Sequence, residues 1–263
     1  MNLEYIKSVS ERVDEKFVQG FPKNRFAKQS HEWWPSDTKF DFEDNVKKYP
    51  KSPHLLKYLE NPISYKLNNF GMRTNDDFNL SSYGNVFLGC SHTFGVGHHL
   101  KDVWSYKVSK EIGDKFYNIS EPSSGIMTQF RYLNYFKDKI KFKNVFHFFP
   151  EECVARWEYY NPNEDRYNVW DTENEKYKQF SFDILFEEAQ QDINVLTHIN
   201  AIENICKEVG ANYFLITKTF RTDSVDPFHK TMIPARDLMH YYVEEHNQLA
   251  QDFLKMYNQK IQQ

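Results

Sequence analysis

Cysteine is scarce in this chain: Cys90, Cys153 and Cys206 are the only 3 among 263 residues. Their odd number and wide spacing exclude a closed disulfide framework and a C-x-x-C metal clip, and they suit a reducing compartment. Long apolar runs are lacking too. Between Met1 and Gln19 charged residues cut every apolar stretch short of the roughly seven residues of a signal-peptide core, and nowhere do about 18 apolar residues follow one another. The expectation is a cytoplasmic protein without leader or membrane span. A basic excess is missing as well. Lys and Arg number 33 against 37 Asp and Glu, for a net charge of −4, and the two signs are intermixed, so nucleic-acid binding through phosphate neutralisation is not expected. With 9 glycines and 10 prolines, collagen and low-complexity sequence are excluded.

What is abundant is aromatic. Phe, Tyr and Trp make up 17% of the chain, which reads as a thick core. Trp33, Trp34, Trp157 and Tyr160 are accordingly taken as core cover in preference to platforms for sugar rings. A chain of this length buries roughly 70–75% of its extended surface without a metal or disulfide staple.

Residues 1–82 are polar and turn-rich and read as an N-terminal extension packed on the main domain. Within them Ile63 to Gly71 alternates like a strand ending in a turn. Residues 83–263 switch to short apolar runs separated by helical periods, the pattern of a parallel sheet with crossover helices. Strands are expected at Asn85–Leu88, Lys115–Ile119, Asn144–Phe149 and Tyr213–Thr217. Helices are expected through Leu100, Trp104, Val108 and Ile112, through Ile126 to Ile140, from Ile193 to Val209, and from about Tyr241 to Tyr257. Residues 151–180 break the rhythm and read as an insertion over one end of the sheet, either a lid or decoration. The expected fold is a three-layer α/β/α sandwich with a mainly parallel sheet.

Ligands of open parallel sheets bind at the carboxyl ends of the strands. Behind the first strand lies Gly89-Cys90-Ser91-His92-Thr93-Phe94-Gly95. It is neither a phosphate-binding loop, since no G-K-[S/T] follows, nor a G-x-G-x-x-G fingerprint. A nucleophilic serine at Ser91 is the remaining reading, and it needs a base. Asp237-Leu238-Met239-His240, just before the last helix, supplies one: a carboxylate one turn ahead of an imidazole can hold the tautomer whose other nitrogen faces a hydroxyl. His92, His98 and His99 lack a carboxylate at metal-ligand spacing, so no metal is expected. Cys90, the direct neighbour of Ser91, is expected to face away and fill buried space.

These blocks resemble the SGNH or GDSL-type hydrolases. Gly89 to Gly95 matches that family's G-D-S-x-T-x-G, with Cys90 in place of aspartate, and Asp237 to His240 matches its D-x-x-H, with Tyr241 where proline is usual. The resemblance covers about residues 84–258. It implies a flavodoxin-like SGNH hydrolase fold and cleavage of carboxylic esters, short acyl or O-acetyl esters on small molecules or carbohydrate among them, with no cofactor. In those terms Ser91 is the nucleophile, His240 the base and Asp237 its orienting partner. The oxyanion donors would be the backbone N–H of Ser91 and of Ser123 or Gly125, the register between those two being open. The family's third block, G-x-N-D, is absent from Phe149-Pro150-Glu151-Glu152-Cys153. His92 and Arg156 are carried as candidate substrate-binding residues. The alternative reading is a weakly active or inactive binding or assembly module on the same fold.

Overall fold

A computed structural model describes residues 27–161, 166–171, 188–218 and 226–262. Met1 to Gln19, most of the second half of the insertion and the side chain of Tyr160 lie outside the described residues.

Two short helices open the described chain. Between strands β1 (Ser30–His31) and β2 (Tyr65–Lys66), which pair antiparallel, come α1 (Lys39–Lys48) and α2 (Pro53–Glu60). Each starts where the sequence supplies a cap: Thr38 Oγ1 accepts from Asp41 N at 3.0 Å, and Ser52 Oγ accepts from Leu55 N at 3.3 Å ahead of Pro53. The strand expected over Ile63–Gly71 shrinks to Tyr65–Lys66. Asn68 ends it, because its Oδ1 accepts from Phe70 N and Met72 N at 2.8 and 3.0 Å and bends the chain into an Asx-type turn.

From here the chain alternates as its apolar pattern requires: β3 (Tyr83–Gly89), α3 (Ser91–Phe94), α4 (Trp104–Ile112), β4 (Lys115–Asn118), α5 (Ile126–Phe136) and β5 (Lys141–Phe148). After β5 an antiparallel hairpin, β6 (Arg156–Asn161) and β7 (Arg166–Asp171), occupies part of the insertion. Then follow α6 (Glu188–Val209), β8 (Asn212–Ile216) and α7 (Val243–Ile261). Two helix boundaries differ from expectation. Leu100 belongs to a separate 3₁₀ turn, since Val103 adopts an extended φ of −79° and ψ of 137° before α4 begins. Ile140 lies beyond α5, buried in the tight turn that leads into β5, where its N–H donates to Phe136 O at 3.0 Å.

The four strands are parallel and ordered β4-β3-β5-β8, flanked by helices on both faces, compatible with a three-layer arrangement. Strand alternation assigns the faces. Val86, Leu88 and Val145 meet Ile126, Leu133, Ile202 and Ile205 of α5 and α6. Phe87, Phe146, Phe148 and Phe214 meet Trp104, Val108, Leu249 and Phe253 of α4 and α7. Much of the aromatic content is spent here. Phe87, Phe146 and Phe214 are paired in register on neighbouring strands and stack at centroid distances of 5.3 and 5.0 Å, each such contact adding about 0.5–1.5 kcal/mol beyond its buried area. A third cluster joins Phe42, Leu55, Tyr58, Ile63, Tyr65 and Leu67 to Phe94 and Val96, and Trp33 and Trp34 pack against it as cover. No helix among the described residues is long and apolar enough to cross a membrane.

Candidate active site

The strand order places a switch point between β3 and β5: from β3 the chain moves outward to β4, then returns across β3 to build β5 and β8. Loops leaving neighbouring strands in opposite directions open a crevice at their carboxyl ends. Ser91 follows β3, and Glu152 follows β5, so both belong to that crevice. A polar groove of about 540 Å³ lined by Asp76, Tyr83, Tyr106 and Asp114 lies instead toward the amino ends of β3 and β4.

Ser91 opens the single-turn α3, which Gly95 ends in a left-handed conformation at φ 84°. The residue is 8% exposed, and its hydroxyl makes no hydrogen bond among the described residues. Cys90 is fully buried in the α5–α6 core and contacts Cys153, as expected for a neighbour pointing the other way.

The segment from Ala235 to Tyr241 comes up beside this loop. Arg236 N donates to Gly97 O at 2.8 Å, and His98 Nε2 donates to Tyr241 O at 2.6 Å. Gly97 has φ 75°, and a Cβ there would stand 2.9 Å from Ala235 Cβ and 3.1 Å from Asp237 Oδ1, so glycine is needed for conformation and clearance alike. Asp237 is used fully. Its Oδ1 accepts from Met239 N and His240 N at 3.0 and 3.2 Å, and its Oδ2 accepts from His240 Nδ1 at 2.5 Å. That bond fixes the tautomer and leaves Nε2 as the basic nitrogen. Nε2 has no partner among the described residues, and the side chain keeps 11% of its surface exposed. Burial disfavours the charged imidazole, yet the Asp237 carboxylate overrides it and holds His240 above its ordinary range. Asp237 is held below its ordinary range by the same partner, against its own burial.

His92, expected as a substrate contact, has a partner that sequence reasoning did not foresee. Its Nε2 lies 2.9 Å from Glu152 Oε1, its ring stacks on Tyr241 at 3.7 Å, and it meets the His240 ring edge-on at 5.2 Å. Its Nδ1 is buried and unpartnered. Glu152 is pushed up by partial burial but brought below its ordinary range overall by His92. A second imidazole–carboxylate pair therefore flanks Ser91, and its acid sits in the block where the resemblance calls for asparagine. The signal in the sequence was Glu151-Glu152 directly after a strand. Arg156, the other expected contact, donates from Nη1 to Cys153 Sγ at 3.1 Å.

The loop after β4 is tied to the end of β3. Glu121 N and Ser124 Oγ both donate to Gly89 O at 3.2 Å. Within it Ser123 is exposed at φ 63°, while Gly125 is buried at the start of α5. The N–H groups of Ser91, Ser123 and Gly125 all lack an acceptor among the described residues. Gly125 also has a steric reason to be glycine, since a Cβ there would come 2.1 Å from the carbonyl oxygen of Arg156. Arg156 cannot retreat easily, because β6 is fastened to α5 by the buried Arg131–Glu158 pair at 2.5 Å. Gly125→Ala is expected to lose about 2–4 kcal/mol in urea unfolding, the range of severe overpacking against backbone; unchanged stability would mean the hairpin base is not seated as described.

Among the described residues no group of three or more His, Cys, Asp and Glu side chains is arranged to hold a metal ion. Comparison with family models, curated proteins and solved structures finds no match to this chain.

Proposed function

We propose that the protein is a serine hydrolase of the SGNH type that cleaves carboxylic esters. The observation that carries this reading is the Asp237–His240 pair at 2.5 Å, whose imidazole lies 5.2 Å from the ring of His92, the residue next to Ser91. In the proposed reaction Ser91 Oγ attacks the ester carbonyl carbon while His240 Nε2 takes the hydroxyl proton. The oxyanion forms against the N–H groups of Ser91 and Gly125, and His240 returns the proton to the leaving alcohol. Water then repeats the sequence on the acyl-enzyme and releases the carboxylic acid. No Ser91–His240 hydrogen bond is formed among the described residues, an arrangement common before substrate arrives. His92, Glu152 and the Tyr241 hydroxyl make a polar cluster beside Ser91, the imidazole and the hydroxyl both bonding to Glu152 Oε1 at 2.9 and 3.4 Å, which supports a short acyl group on a hydroxyl-rich alcohol such as a carbohydrate.

A second reading, a binding or assembly module with weak or no turnover, is favoured by one observation: Glu152, an acceptor, occupies the block from which an amide donor would come. A fluorophosphonate probe separates the two. The expected result is a single phosphonylated peptide containing modified Ser91, lost in His240→Ala. Absence of labelling, or labelling at another serine, overturns the hydrolase reading.

A further inference from the structure

We infer that the segment before the sheet is a working part of this site, in which Asp37, Tyr65 and Arg73 are positioning residues that fasten the serine loop to the Asp237–His240 loop. The inference deepens the hydrolase reading and rests on it for the roles of Ser91 and His240. Both halves are gripped from the same side. Arg73, 1% exposed, donates through Nη1 to Gly95 O and to Phe94 O at 3.2 Å, and through Nη2 to His98 O at 2.7 Å, closing the turn that begins at Ser91. Asp37, fully buried, takes the guanidinium of Arg236 through Nε at 3.0 Å and Nη2 at 2.6 Å, directly before Asp237 in the chain. Trp33 lies 4.0 Å under that guanidinium.

Tyr65 joins the two grips. Its hydroxyl donates to Asp37 Oδ2 and accepts from Gly97 N at 2.8 Å, so a single oxygen links the pair holding Arg236 to the backbone of the serine loop. The ring also carries Arg73 at 4.3 Å. An independent observation agrees. Leu238, between Asp237 and His240, has φ 59°, a conformation that costs a residue with a Cβ about 1–2 kcal/mol. Its side chain packs into the cluster of Phe42, Leu55, Tyr58, Ile63 and Tyr65, which supplies the contacts that keep it there.

The test uses the full chain with Tyr65→Phe, which keeps the ring and the Asp37–Arg236 pair and removes one oxygen. Hydrogen exchange is expected to quicken in peptides 91–98 and 235–241 together while β3 and β5 stay protected. On p-nitrophenyl acetate, kcat is expected to fall about tenfold to a hundredfold with KM held within about twofold, the mark of misplaced groups. Asp37→Asn adds a readout that packing alone would not move, the NMR titration of His240. The charge on that ring feels Asp237 on its own loop, Asp37 from the amino-terminal segment and Cys90 at the end of β3, with His98 and His246 as more distant imidazoles, and the His92 ring meets it edge-on. Removing the Asp37 charge is expected to lower its midpoint. Exchange that quickens in only one of the two loops, or an unmoved His240 midpoint, overturns the inference. Coupled exchange in a protein whose Ser91 never turns over would keep the positioning role and remove the hydrolase reading.

Discussion

Hydrolysis of p-nitrophenyl acetate is expected to collapse in Ser91→Ala and nearly as far in His240→Ala, because groups that act as a unit fail together. Loss of a serine or histidine from a complete triad costs on the order of 10⁶ in kcat. In the proposed reaction the site does without one oxyanion amide, worth about 10²–10³, so the measurable drop from wild type is expected on the order of 10³–10⁴. Asp237→Asn should fall in the same direction by less, since it removes the tautomer lock and leaves the base. The pH profile adds a sign. His240 is held above its ordinary value of 6.5 by Asp237, against its burial, so it stays protonated, and unable to accept the Ser91 proton, to a higher pH than a free imidazole. The acid limb of kcat/KM is therefore expected above 6.5 and should move down in Asp237→Asn. Equal rates for wild type and Ser91→Ala would remove the nucleophile altogether.

The parts of this arrangement legible in the sequence are those with a period or a local signature. Val86 and Leu88 against Phe87 alternate because both faces of β3 are covered, and the four strands follow from such runs. Ser91 and the Asp237–His240 pair could be found because each is read within a few residues. Strand order could not, since nothing local says that β5 returns to the other side of β3. Asp37 and Arg236 stand 199 positions apart, and a buried pair of that kind leaves no periodic trace. Nor does Leu238 advertise its positive φ, because a leucine there obeys the tertiary packing and not its own preference. The register between Ser123 and Gly125 has no local signature either: the structure leaves Ser123 exposed at φ 63° and buries Gly125 against the Arg156 carbonyl, where a Cβ would not fit.

Acid should destabilise this protein well before its exposed carboxylates titrate, because three histidines are buried without charge. His147 donates from Nε2 to Gln129 Oε1 at 2.6 Å and accepts at Nδ1 from Tyr213 OH at 2.7 Å, so the neutral ring is satisfied and burial pushes its pKa down to about 3. His98 and His246 lie edge to face at 4.8 Å in the core beside α4. Burial pushes His98 down to about 3 and holds His246 well below its ordinary value of 6.5. The sign follows from proton uptake: in the unfolded chain all three protonate near 6.5, in the folded one none does until far lower, so stability is intact above 6.5 and is lost as pH falls below it. Glu121 opposes them, since burial raises it to about 8 and it gives stability back as pH falls. His240, raised in the fold, contributes fully below 6.5 and changes nothing in this window. Among these groups three against one leaves about two extra protons on the unfolded chain, and His99 and Cys90, both lowered in the fold, work in the same direction, so between pH 6.5 and 5 the loss is about 4 kcal/mol at 1.36 kcal/mol per unit per group. That is a large share of a typical stability of about 5–15 kcal/mol and corresponds to a fall in Tm of roughly 8–16 °C. Circular dichroism melts across this range check it. His147→Gln, which removes one of the three sites, should flatten the slope, and a Tm that stays level from pH 7 to 5 would mean that these rings are not sealed in the core as described.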